Sequence, residues 1–174
     1  MSTEFIEGMC MSVTIREMTH EEYEQFYAWS VQNHPAELVE QARKEVAAML
    51  PDGLETEHNQ LMTIVAEGEN VGFLWTLHEK TDGKMQSFLC DFAVWEQNRR
   101  KGYASAALHL AEENAKAAGC QESVLFVADD NAAARAFYEK CGYQVLRRKD
   151  YGQYMIKQLR TKLKKDEVEH ATVI

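Results

Sequence analysis

The densest chemistry in the chain lies at Arg99-Arg100-Lys101-Gly102-Tyr103-Ala104-Ser105. Three consecutive cations run into a glycine and two small residues, where a strand pattern over residues 88–94 gives way to a helical one from Tyr103. A helix entry presents unpaired main-chain N–H groups and the positive end of the helix dipole. Gly102 lets backbone and ligand approach closely, and Ala104 keeps the wall small. An anion of the pyrophosphate type suits such a loop; a solvated basic turn before an ordinary helix is the competing reading. A second cluster runs from Asn131 through Ala134 to Phe137-Tyr138-Glu139-Lys140-Cys141-Gly142-Tyr143.

Composition narrows what these clusters can serve. The chain has 174 residues, 45% hydrophobic and 27% charged, which fits one folded domain and excludes disorder. Nineteen Lys and Arg against 28 Asp and Glu give a net charge of -9, a field that opposes a polyphosphate backbone and attracts cationic partners such as amines. Nucleic acid is therefore not expected as a partner, despite the basic runs at 99–101 and 147–149. The four cysteines, at 10, 90, 120 and 141, form no C-x-x-C pair, and the six histidines show no metal-ligand spacing, so no metal is expected. Residues 1–11 lack the basic start and apolar run of a leader, and no stretch approaches the roughly 18 apolar residues of a membrane span. A cytoplasmic protein with no membrane contact is expected.

The elements that must position the clusters follow from period and punctuation. Residues 13–16 alternate as a short strand. Thr19 with Glu22 forms a capping box that opens a helix carrying Tyr23, Phe26 and Tyr27. Pro35 suits the first turn of another, which carries Leu38 to Met49 and stops at Pro51-Asp52-Gly53. Strands over 61–66, 71–77 and 85–94 are separated by Gly68-Glu69-Asn70 and Thr81-Asp82-Gly83 and read as an antiparallel meander. A helix from Tyr103, stopped by Gly119, has a small-residue face, and a strand over 123–128, a helix over 131–141 ended by Gly142 and a hairpin over 143–159 follow. The order predicts an α/β fold with a mixed, mostly antiparallel central sheet and helices on both faces. Residues 12–160 form the expected domain, 1–11 an N-terminal extension, and 161–174 a charged tail in which Leu163 and Val168 suit a helical extension.

The two clusters together resemble the GNAT superfamily of acyl-CoA N-acyltransferases. The family's pyrophosphate loop, Arg or Gln, two residues, Gly, one residue, then Gly or Ala, is matched by Arg99, Gly102 and Ala104; its later block is matched from Asn131 to Tyr143. The resemblance implies acetyl-CoA as acyl donor, held where the fourth and fifth strands of this order, 85–94 and 123–128, splay apart. By family position, Phe92 and Val94 would offer main-chain contacts to pantetheine. Arg99, Arg100, Lys101, Gly102, Tyr103, Ala104 and Ser105 would cradle the pyrophosphate, and Asn131 would hydrogen-bond the arm, with helix capping as its alternative. Tyr138 matches the family tyrosine that protonates the leaving thiolate; a core tyrosine is the alternative.

An alkyl ammonium must lose a proton before it attacks, so a carboxylate is wanted near the acceptor. Family positions that carry Glu align with Phe88 and Phe126, neither of which can act. Asp91 is the nearest carboxylate on the fourth strand, with Leu89 and Ala93 on its face by simple alternation, and a structural Asp is equally in keeping. Glu96 is a weaker candidate, and water or an amine arriving neutral would also serve. The resemblance implies an acceptor wall at about residues 20–60, where the Tyr23, Phe26, Tyr27 and Trp29 stripe suits either a cation or the core. The expected function is N-acetylation of a primary amine of a small molecule or protein. An acyl-CoA-binding regulatory domain without turnover is the rival.

Overall fold

The computed structural model describes residues 2–6 and 11–159. Eight strands form one sheet: β1 (Ser2–Ile6), β2 (Met11–Glu17), β3 (Asn59–Ala66), β4 (Glu69–Thr81), β5 (Lys84–Val94), β6 (Glu122–Ala128), β7 (Gln144–Lys149) and β8 (Gly152–Gln158). Their spatial order is β1-β2-β3-β4-β5-β6-β8-β7. Every pairing is antiparallel except β5 with β6. Ser2–Ile6, read from sequence as part of an extension, pairs with β2 as an edge strand. Residues 161–174, with the helical extension expected around Leu163 and Val168, lie outside the described residues.

The turn at Asp82-Gly83 falls where expected, whereas the first lies at Glu67-Gly68 and not at Gly68-Glu69-Asn70, because Glu69 and Asn70 already pair with β3 as the start of β4. Glu67-Gly68 and Asp82-Gly83 each place two residues at positive φ, 52° and 81° in the first and 48° and 82° in the second, the geometry that two-residue hairpins need. Four helices complete the fold: α1 (His20–Gln32), α2 (Val39–Met49), α3 (Tyr103–Ala117) and α4 (Ala132–Lys140). The capping box at Thr19 and Glu22 is present, and Glu22 also takes a 2.7 Å ion pair from Arg16 of β2, so the α1 entry is tied to the sheet.

Helices cover both faces. On one side α3 packs Ala106, Ala107, Leu110 and Ala111 against Ile15, Ile64, Leu74, Leu89 and Leu125, and α4 adds Ala134, Phe137 and Tyr138. The small side chains let α3 approach the sheet closely. On the other side Phe26 and Val46, from α1 and α2, pack on Leu61, Phe73 and Trp75. The Tyr and Phe stripe of α1 is therefore mainly core: Phe26 is buried, and its ring meets Phe73 edge-on at 4.9 Å.

Candidate functional site

The parallel pair β5 and β6 is hydrogen-bonded only from Gln86 with Glu122 to Leu89 with Leu125. Beyond that point β5 runs on to Val94 and β6 to Ala128 with no pairing between them, so the strands part. Glu122 secures the closed end: its carboxylate accepts from Lys84 (2.9 Å), Gln86 (2.7 Å) and Gln158 (3.2 Å). The expected splayed cleft is present.

A bulge in β5 shapes the open end. Trp75 pairs with Asp91 and Thr76 with Leu89, leaving Cys90 as the extra residue. The bulge corrects the simple alternation that put Leu89 and Asp91 on one face. Leu89 joins the α3 core, whereas Asp91 turns toward α1 with Ala93. There Ser30 Oγ donates to Asp91 Oδ2 at 2.7 Å and the Phe92 N–H donates to Oδ1 at 2.9 Å. Burial raises the Asp91 pKa above the ordinary carboxylate range, opposed by these two hydrogen bonds.

The Trp95 N–H donates to Val71 of β4, so Val94 and Phe92, alternating with it, face the open side. Two of the four main-chain groups they present are taken: the Phe92 N–H by Asp91 and the Val94 carbonyl by Arg99 Nε at 2.9 Å. The Phe92 carbonyl and the Val94 N–H are what remains for a ligand. A buried polar group left without a partner is costly, so such an edge calls for one.

A cavity of about 890 Å³ opens from this edge. Of the residues anticipated from sequence, Phe92, Val94, Arg99, Arg100, Gly102, Tyr103, Ala104, Ser105, Asn131 and Tyr138 line it. Lys101 does not; it is exposed, with its Nζ 6.0 Å from the Tyr103 ring centroid. Arg100 and Gly102 have φ of 62° and 81° on either side of Lys101, and Gly102 caps α3 in the left-handed conformation. Alternation of this kind turns successive N–H groups toward a common point, an anion-binding concavity. Asn131 caps α4, accepting from the Ala134 N–H at 3.1 Å, which is its alternative role. Its Oδ1 is thus committed and its amide N–H groups are left for a ligand.

Tyr138 and Asp91 meet in a second cavity of about 200 Å³ between the parted strands, lined also by Cys90 and Phe126. Burial, then the Asp91 and Cys141 charges, push the Tyr138 pKa above that of an ordinary tyrosine, so it stays protonated. Its ring is held by edge-on contacts with Phe137 at 5.2 Å and Tyr143 at 5.7 Å. Sequence reading missed the network behind it. Tyr143 donates to Glu112 Oε1 at 3.1 Å while lying 2.8 Å from Ser123 Oγ, and Lys157 donates to Glu112 Oε2 at 2.7 Å. A Glu inside the α3 span was the only available signal. Trp29 and Asn33 of the α1 end also reach the larger cavity, whereas Glu96, the weaker carboxylate candidate, lines neither.

A parted parallel strand pair with a cationic glycine loop at a helix entry and a buried tyrosine between them is the arrangement expected of an acyltransferase of the GNAT class. The model of the acetyltransferase (GNAT) family matches residues 15–143, and the chain belongs to that family. It is 29% identical over 146 residues to the uncharacterized N-acetyltransferase YycN of Bacillus subtilis, covering 77% of this chain and 94% of YycN. It is 30% identical over 145 residues to the uncharacterized N-acetyltransferase YdgE of the same organism, covering 76% and 92%. The crystal structure of YycN superposes with a TM-score of 0.71 at 27% identity over 79% of this chain and 98% of that one. The PaiA N-acetyltransferase of Thermoplasma acidophilum, solved in complex with coenzyme A, shares the fold at a TM-score of 0.65 and 18% identity, over 84% and 98%. Among the described residues no helix is long and apolar enough to cross a membrane.

Proposed function

We propose that the protein transfers an acetyl group from acetyl-CoA to a primary amine of a small molecule or protein by direct attack. The observation that carries this reading is the joining of three features in one cleft: the edge freed beyond Leu89 and Leu125, the Arg99–Ser105 loop and Tyr138. The remaining Phe92 carbonyl and Val94 N–H suit the amides of a pantetheine arm, which would add to β5 like a further strand. The N–H groups around Gly102, with Arg99 and Arg100, suit its pyrophosphate.

In the reaction the amine nitrogen bonds to the thioester carbonyl carbon, the C–S bond breaks, and the nitrogen gives up a proton. Tyr138, kept protonated by burial, donates its O–H to the departing thiolate. Asp91 takes the proton of the amine, directly or through one water; its raised pKa brings it closer to the working range of a base. An acyl-enzyme on Cys90 is disfavoured, because burial, and then the Asp91 and Glu79 charges, push that thiol up to about 12 and leave almost no thiolate at neutral pH.

Release of CoA thiol from acetyl-CoA across a panel of small amines, polyamines and peptides tests the reading. Thiol release with matching N-acetyl product is the expected result. Tight acetyl-CoA binding with no release on any acceptor would instead favour an acyl-CoA-binding domain, the reading that Phe88 and Phe126 at the family carboxylate positions support.

A further inference from the structure

Helices α1 and α2 cover β3 and β4, but the same face of the sheet over β6, β8 and β7 is left to an aromatic row. Phe126 pairs with Tyr154 across β6 and β8, their ring centroids 5.1 Å apart, and Phe88 reaches Tyr154 at 6.4 Å. Phe126 is also a wall of the cavity that holds Tyr138 and Asp91, so the row begins inside the site. Gly152 makes its floor possible. A Cβ there would lie 2.4 Å from Phe126 Cζ and 2.5 Å from the Val127 carbonyl oxygen.

The row ends in positive charge. Arg147 pairs with Tyr154 in the β7–β8 register and its guanidinium carbon stands 5.1 Å from the Tyr154 ring centroid. Lys149, two residues on, occupies the same face opposite Gly152. Arg148 points the other way and is neutralised by Asp129 at 3.0 Å. Among the described residues neither Arg147 nor Lys149 has a carboxylate within ion-pair distance, in a chain of net charge -9. Two steps between strands separate Phe126 from Arg147, about 10 Å.

We infer that the acceptor is an amine whose far end is anionic, with an apolar or planar stretch between the two groups long enough to cross the row of about 10 Å from Phe126 to Arg147. The amine enters the cleft between Asp91 and Tyr138, the stretch lies over Phe126 and Tyr154, and Arg147 with Lys149 receives the anion. This inference rests on the acetyl-transfer reading and narrows it. It also reverses the preference suggested by net charge, because the local cations at the end of the row outweigh a diffuse acidic background screened within about 10 Å.

Three acceptors of one length, 8-aminooctanoate, octylamine and 1,8-diaminooctane, test it through thiol release from acetyl-CoA, together with calorimetric binding to the CoA-loaded protein. The expected order of kcat/KM is aminooctanoate, octylamine, diamine. Arg147→Gln should lower the aminooctanoate value about fivefold and bring its ratio to octylamine near one, and Arg147→Lys should restore part of the preference. Equal use of the three, preference for the diamine, or an unchanged ratio in Arg147→Gln would overturn the inference and leave acetyl transfer standing. No thiol release, with aminooctanoate binding that Arg147→Gln weakens, would support the anionic end while overturning acetyl transfer. Neither release nor binding would overturn both.

Discussion

Replacing Tyr138 with Phe removes one oxygen and little else. No described residue hydrogen-bonds that hydroxyl, and the ring contacts with Phe137 and Tyr143 survive the change. The stability cost should therefore stay below about 1 kcal/mol, since no buried partner is orphaned. General acid catalysis contributes about 10²–10⁴ in rate. The site argues for the low end: burial raises the Tyr138 pKa, so a full proton transfer to a thiolate, whose own acid lies near about 8.5 in water, runs uphill. A hundredfold fall in kcat, about 2.7 kcal/mol in the barrier, is expected. Single-turnover thiol release measures it, and titration with acetyl-CoA should give an unchanged Kd. A fall of less than threefold in the chemical step, or a loss of acetyl-CoA affinity as large as the loss of rate, would rule out this role for Tyr138.

Asp91→Asn should abolish the acid limb of the pH–kcat/KM profile. Ser30→Ala should shift that limb to higher pH, because the Ser30 hydrogen bond favours the ionised carboxylate and its loss raises the pKa further. Arg99→Ala removes both a cation and the bond to the Val94 carbonyl, and should raise KM for acetyl-CoA about tenfold with kcat nearly kept. Glu22 is held down to about 2 by the Arg16 hydrogen bond, and its stabilising contribution is present above the unfolded carboxylate pKa of about 4.3. That contribution is lost as pH falls from there through about 2; Glu22→Gln should cost about 1–2 kcal/mol at neutral pH and flatten chemical denaturation across that window.

The features legible in the sequence are those set by neighbours in the chain. The Thr19–Glu22 capping box, the Asp82-Gly83 turn and the glycine that ends α4, Gly142, each depend on a few adjacent residues, and all appear where expected. The loop and tyrosine of the cleft were legible for the same reason, as two short motifs. Long-range register was not. Strand alternation alone places Asp91 beside Leu89, and only pairing with β4 reveals Cys90 as the bulged residue that sends Asp91 to Ser30. Pairing of Ser2–Ile6 with β2 was equally hidden, since an edge strand need not carry a buried apolar pattern. Phe88 and Phe126 could be recognised only as residues unable to act as bases; that they form one floor with Tyr154 depends on contacts across strands.

In the proposed reaction the gap between β5 and β6 seats an acyl-CoA thioester beside Tyr138. A crystal structure of the complex with acetyl-CoA tests it most directly. Pyrophosphate density is expected on the N–H groups of 99–105, with pantetheine amides paired with the Phe92 carbonyl and the Val94 N–H, and the thioester sulfur within hydrogen-bond reach of the Tyr138 hydroxyl. Density for the arm outside the gap, or a sulfur with Tyr138 beyond reach and another donor in contact, would contradict it.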